Sequence, residues 1–192
     1  MFRKQISRRS AAIRAAVLGL VATALITACH DDESPLFPGL SEALNAQLTD
    51  ARSATEPFQQ IQNANDAGYD VLVAHPTNGN TCLRHPELGA MGVHYLNAGL
   101  VDGTVAVATP EVVIYEPQAD GSLELVGVEY IIPFAIRGDD QTPPVLFGRE
   151  FRRNYTFNLW ALHAWVWRDN PSGVFSDWNP DVSCEHEDAV GS

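Results

Sequence analysis

Apolar residues recur along the chain in three rhythms. The first is an uninterrupted run, residues 15–28, which carries no charge and is built mainly of Ala, Val and Leu. The second begins after Ser41. Leu44, Leu48, Ala51, Thr55 and Phe58 fall three or four residues apart, the spacing of one helical face, read as core-facing. Pro57 interrupts it. A second helix is therefore expected from about Glu56, with Thr55 as its cap and Pro57 in its first turn, ending at Ala67 before a left-handed Gly68. The third rhythm is strand-like. Residues 71–73, 92–97, 112–116, 123–132 and 159–167 are short runs rich in Val, Leu, Ile and aromatic side chains. Residues 75–89, with Pro76, Asn78-Gly79 and Pro86, read as a loop, and residues 117–122 as the turn of a hairpin. Helices followed by antiparallel strands predict an α+β fold, with N-terminal helices packed on a curved, mainly antiparallel β-sheet.

Alternation within the strands marks the residues out of place. In residues 159–167 one face carries Trp160, Leu162, Ala164 and Val166; the other carries Leu159, Ala161, His163, Trp165 and Trp167. Both faces are apolar, so the strand is expected in the interior of the sheet, covered on both sides, with His163 among indoles. Leu123, Leu125, Gly127, Glu129 and Ile131 share a face on which Glu129 is the single carboxylate. A buried carboxylate needs a partner or a proton. Symmetric pairing about the turn brings the Glu111 end of the hairpin near Glu129, although a solvated Glu111 at the strand end is the simpler expectation. Glu116, beside the turn, is expected to be exposed.

Composition changes the picture at the N-terminus. The chain has 192 residues and a formal net charge of −12. Residues 2–14 hold Arg3, Lys4, Arg8, Arg9 and Arg14 without an acid. A basic start, a short apolar core and small residues before a cut site make a secretory signal peptide; about 20 residues would be needed for a membrane span. Ile26-Thr27-Ala28-Cys29 resembles a bacterial lipobox, in which the Cys carries the lipid; the alternative is an ordinary signal peptide with a chance Cys. Ser7-Arg8-Arg9 also resembles part of a twin-arginine signal, but Ser10-Ala11-Ala12 departs from that pattern. The division expected is a signal peptide over residues 1–28, an acidic tether over 29–40 and one globular domain over 41–192. The expected place is the cell envelope, on its periplasmic or outer-membrane face, anchored to the membrane through lipid on Cys29.

Cleavage leaves seven arginines against 24 acids, a net charge of −17, and no lysine. Schiff-base chemistry, pyridoxal phosphate attachment and a P-loop lysine are thereby excluded. Nucleic acid is an unsuitable partner for so acidic a surface. With Cys29 lipidated, Cys82 and Cys184 remain, an even pair expected to form a disulfide in an oxidising compartment. Such a bond closes a loop of about 100 residues, worth roughly 4.7 kcal/mol in the chain-entropy model.

No GxSxG, HExxH or GxGxxG string is present. The candidates for chemistry are scattered. His94 follows the unusual string Gly89-Ala90-Met91-Gly92-Val93, whose two glycines suggest a bulge or a close backbone approach. His94, Glu129 and His163 would supply two imidazoles and a carboxylate, a set suited to Zn, Fe or Mn; Met91 with His75, His85 and His94 would instead suit Cu. Tyr130, Trp165 and Trp167 are candidate walls of a small-molecule cavity. Residues 133–149 are long enough to form a lid over it, and His186 reads as solvated tail. Three roles compete: a binding module for a small ligand, a metal-dependent enzyme, and a structural envelope lipoprotein in which the aromatics are core.

The strings Gly89-Ala90-Met91-Gly92-Val93-His94-Tyr95 and Val128-Glu129-Tyr130, together with His163-Ala164-Trp165-Val166-Trp167 running on through residues 170–180 to Trp178-Asn179-Pro180, resemble a set of uncharacterised secreted bacterial proteins. The helix ending Ala67-Gly68-Tyr69 is similar too. The resemblance covers most of residues 45–184. It implies a shared architecture and directs attention to His94, Glu129 and His163, but implies no reaction.

Overall fold

Ser41 begins the ordered helical front: its Oγ accepts from the Leu44 N–H, and α1 follows over Glu42–Thr55. The structure, a computed structural model, describes residues 36–189. The proposed signal peptide, Cys29 and the first part of the tether lie outside the described residues. The helical continuation is broken where one helix was expected. Residues 56–59 form a 3-10 turn, Gln60 is extended, and α2 spans only Ile61–Asp66. Side chains claim the carbonyls that a continuous helix would need. Tyr115 Oη donates to Phe58 O at 2.6 Å, and Asn63 Nδ2 donates to Pro57 O at 2.9 Å. Thr55 makes no cap; its Oγ1 donates back to Ala51 O and accepts from Trp167 Nε1.

The rest is mainly antiparallel sheet. The strands are β1 (Tyr69–Leu72), β2 (Cys82–His85), β3 (Gly89–Asn97), β4 (Val112–Pro117), β5 (Leu123–Pro133), β8 (Arg152–Asn154) and β9 (Leu159–Ala164), in the order β1-β3-β4-β5-β9-β8, with β2 also on β3. A separate two-stranded ribbon pairs β6 (Val145–Leu146) with β7 (Arg149–Glu150). The 112–116/123–132 hairpin is present as β4 and β5. Residues 159–167 form a strand only as far as Ala164, covered on both faces and flanked by β5 and β8. The segment 75–89 contains β2, which the Pro and Gly signals concealed.

Alternation along β4 divides the core. Val113 and Tyr115 join Leu48, Ala51 and Ala64 of the helices in one buried cluster, with Tyr130, Trp160 and Leu162. Val112 and Ile114 join Val126, Ile131, Trp165 and the Cys82–Cys184 pair in the other. The hairpin face expected from the sequence is interrupted. Ile114 pairs with Gly127 but Tyr115 with Leu125, so Val126 is an extra, bulged residue whose carbonyl accepts from the Trp167 and Arg168 N–H groups. The bulge turns Leu125 to the helical side and leaves Glu129 with Ile131 on the other. The disulfide is present, with Cα atoms 5.7 Å apart and a sequence separation of 102. It fixes the tail against β2, and Glu187 strengthens the seam by accepting from the Thr81 and Cys82 N–H groups.

Candidate metal centre

Strands β3, β5 and β9, with β4 between the first two, carry the odd polar residues to one place. On β5, Glu129 pairs with Val112 of β4 and with His163 of β9; on β3, His94 pairs with Ile114 of β4. Cross-strand partners point to the same face, so residues far apart in sequence converge. His94 Nε2 lies 3.7 Å from Glu129 Oε2, and His163 Nε2 lies 3.6 Å from Glu129 Oε1. One donor atom from each of the three falls within 4.8 Å of the others, and all three residues are buried.

Each donor has its own support. His94 Nδ1 donates to Gly92 O at 3.2 Å, which leaves the lone pair on Nε2, toward Glu129. That carbonyl is presented by Gly92 at φ +95, where a Cβ would stand 2.4 Å from Tyr115 O. Gly89 is equally constrained: its Cβ would meet Asn179 O at 2.1 Å. The neighbouring Ala90 exchanges two backbone hydrogen bonds with Asn179, each 3.0 Å. The two glycines therefore let β3 bond the Trp178-Asn179-Pro180 segment on one side and shape the His94 support on the other. Asn179 is fully buried; its side chain bonds Asp169 O and the Asp181 N–H. This segment carries Asp177, whose Oδ1 lies 3.8 Å from His163 Nδ1 and whose Oδ2 accepts from Arg152 at 2.8 Å. Among the described residues, neither ring nitrogen of His163 has a hydrogen-bond partner.

Burial decides the protonation of the metal-free cluster. Loss of water pushes Glu129 up to about 8, aided by the nearby Asp177 and Glu111 charges. The same desolvation holds His94 at about 3, with His163 adding to it, and His163 at about 3, with Arg152 adding to it. Neutral imidazoles facing a protonated carboxyl are not ion pairs, whatever their separation. Neutral imidazole is the form that ligates a metal, and the carboxyl would release its proton on doing so. Glu111 is buried rather than solvated: its Oε2 accepts from the Ile131 N–H, and burial pushes it up to about 7. Glu116 is buried as well, because the C-terminal tail covers it. Its oxygens take the Ser183 N–H and Arg168.

Beside the cluster lies a cavity of about 180 Å³, with His94 and Glu129 in its wall and Leu83, Met91, Ile131, Phe157 and Leu159 among its apolar lining. A second cleft of about 190 Å³, more polar, shares Leu83, Met91, Asn154 and Phe157 with it. The three aromatics expected to line a cavity border neither. Tyr130 and Glu129 are consecutive on β5, so Tyr130 points into the helical cluster, where its Oη donates to Val107 O. Trp165 packs near-parallel to His163 at 6.3 Å and donates from Nε1 to Ser176 O. Trp167, beyond the end of β9, donates to Thr55 under the Arg52 guanidinium.

Residues 133–149 do not cover the cavity either; Phe147 from this segment is buried against Tyr130 on the other side. His75 lines only the outer cleft and His85 stands against Trp178, so neither joins His94 in the cluster. His186 is half-buried. Asp177, Asn154 and Phe157 went unmarked as site residues in the sequence. The β8–β9 turn brings Asn154 and Phe157 to the cavity, and no local pattern foretells that. No family model, no curated protein and no solved structure matches this chain.

Proposed function

We propose that the chain is an exported, lipid-anchored metal-binding protein that holds one divalent transition-metal ion, from the set Zn, Fe, Mn or Cu, at His94, Glu129 and His163. One observation carries this reading: three buried donors lie within 4.8 Å of one another, and both nitrogens of His163 lack a hydrogen-bond partner among the described residues. An unsatisfied buried polar group costs about 1–3 kcal/mol, and an ion satisfies it. Ligand atoms about 2.1 Å from a tetrahedral metal stand about 3.4 Å apart. The 3.6 and 3.7 Å contacts therefore need small shifts, and the widest separation, within 4.8 Å, needs to close by about 1.4 Å at most.

Three protein ligands leave a coordination position open, as in catalytic rather than structural zinc sites. The apolar cavity beside Glu129 and His94 favours, as second reading, a metal-dependent enzyme. For the fold, we propose that the sheet curves over the helices; bulges at Tyr69/Val71, Leu83/Arg84 and Ile114/Tyr115 would supply the bend.

The test is metal analysis by mass spectrometry of the exported chain carrying Cys29→Ser, which removes the lipid. One equivalent of a transition metal is expected, lost in His94→Ala and in His163→Ala while the circular dichroism stays unchanged. No metal, even after incubation with Zn, Cu, Mn and anaerobic Fe(II), would overturn the reading and leave an organic-ligand pocket or a structural envelope lipoprotein.

A further inference from the structure

We infer that the cavity beside the cluster is a binding chamber for a neutral, single-ring-sized apolar molecule bearing one hydroxyl, seated with that hydroxyl on the metal. The second half of this inference rests on the metal reading; the first half does not. Size comes first. The chamber measures about 180 Å³, and an apolar protein cavity of about 150 Å³ stays dry and accepts benzene. Its walls come from Leu83 of β2, Met91 of β3, Ile131 of β5, Leu159 of β9 and Phe157 of the β8–β9 turn. Methionine adapts to varied shapes and makes favourable contacts with aromatic rings.

Polarity is confined to three side chains. His94 and Glu129 are the two ionisable residues in the lining, and Asn154 is its third polar side chain. Among the described residues no arginine lines the chamber, so an anionic ligand would meet Glu129 without a counter-charge other than the metal. A neutral molecule with a single polar group matches this distribution. Access is defined as well. The outer cleft, with Arg84, Asn78 and Asn80 in its lining, shares four wall residues with the chamber, so the two meet across Leu83, Met91, Asn154 and Phe157.

Phenol, toluene and benzoate are the probes, applied to the exported Cys29→Ser chain, metal-free and loaded with Co(II). Toluene should bind the metal-free and Co(II) proteins alike, read by shifts of the Met91 methyl resonance. Phenol should bind the Co(II) protein at least tenfold more tightly than the metal-free one and change the visible Co(II) spectrum. Benzoate should bind at least tenfold more weakly than phenol. Leu83→Phe and Leu159→Phe, which fill the chamber from two sides, should each abolish toluene binding while retaining one equivalent of Co(II).

A protein that takes up Co(II) but shows no shift with toluene or phenol up to their solubility overturns the chamber. Benzoate binding as tightly as phenol overturns the neutral class. Toluene binding that survives both filling variants places the ligand elsewhere and overturns the assignment. A wild-type chain that takes up no Co(II) overturns the metal reading and the hydroxyl contact together, and toluene then still decides the chamber.

Discussion

Burial dominates the titration of Glu129, and the Asp177 and Glu111 charges add to it. In the metal-free protein Glu129 is pushed up to about 8 and Glu111 to about 7 from 4.5, while His94 and His163 are held at about 3 from 6.5. Between pH 3 and 6.5 the unfolded chain binds more imidazole protons than the folded one, so the histidines make stability rise with pH. From pH 4.5 upward the folded chain keeps carboxyl protons that the unfolded chain has lost, so the carboxyls make stability fall. These slopes oppose one another up to pH 6.5, and above it only the carboxyls act. Urea midpoints of the metal-free protein are therefore expected to fall from pH 6.5 to 8, and to fall less in Glu129→Gln. Zinc-loaded protein should fall less, because the metal binds the Glu129 carboxylate while Glu111 still titrates; a parallel fall in both forms would disprove the link. Gly92→Ala tests the backbone beneath His94. It places a Cβ 2.4 Å from Tyr115 O at positive φ and should cost more than about 2 kcal/mol in the same assay.

Among the elements, β3 and the segment around Asn179 act as one unit. Asn179→Ala deletes two side-chain hydrogen bonds from a fully buried position and is expected to destabilise by about 1–3 kcal/mol. It should also weaken metal binding, because this segment carries Asp177 to His163; unchanged metal affinity would limit Asn179 to a packing role. The disulfide is the second test. Its removal in the Cys82→Ser/Cys184→Ser pair should cost up to about 4.7 kcal/mol, the chain-entropy value, seen as a lower Tm. The same elements show why strand content was legible and topology was not. Residues 112–116 and 123–132 announced a hairpin through β-branched residues around the turn Pro117-Gln118-Ala119-Asp120-Gly121-Ser122. The Val126 bulge was silent, because a one-residue slip is decided by what Trp167 and Arg168 bring to its carbonyl. β2 was hidden because a four-residue strand earns its pairing from β3 and the tethered tail rather than from its own sequence.

For the whole molecule, charge and anchoring are the properties at stake. With the proposed cleavage before Cys29 the net charge would be −17, which does not favour adhesion to anionic lipid by basic patches, so under the proposed reading attachment would rest on the lipid on Cys29. Radioactive palmitate is expected to label the wild-type chain and not Cys29→Ala, which should also leave the membrane fraction; an unlabelled wild type would refute the anchor.

Much of this protein is determined by its sequence alone. A basic stretch before an apolar run, small residues before Cys29, an even cysteine pair and the switch from helical to alternating periodicity are local chemical facts. They lead to the export expectation, to the Cys82–Cys184 bond and to a sheet with a few helices. His163 and Glu129 could be singled out because a polar residue on an apolar face breaks a period-two pattern. Their meeting with His94 could not be deduced, for the three sit on strands 35 and 34 residues apart, joined only through the register of β3, β4, β5 and β9. Tertiary structure likewise decided which aromatics were core. Tyr130 follows Glu129 by one residue and so must face the other side, and Trp167 lies past the point where β9 leaves the sheet. The chamber depends on a turn and on strands β2, β3, β5 and β9, whose packing together buries apolar surface that no single segment could bury alone.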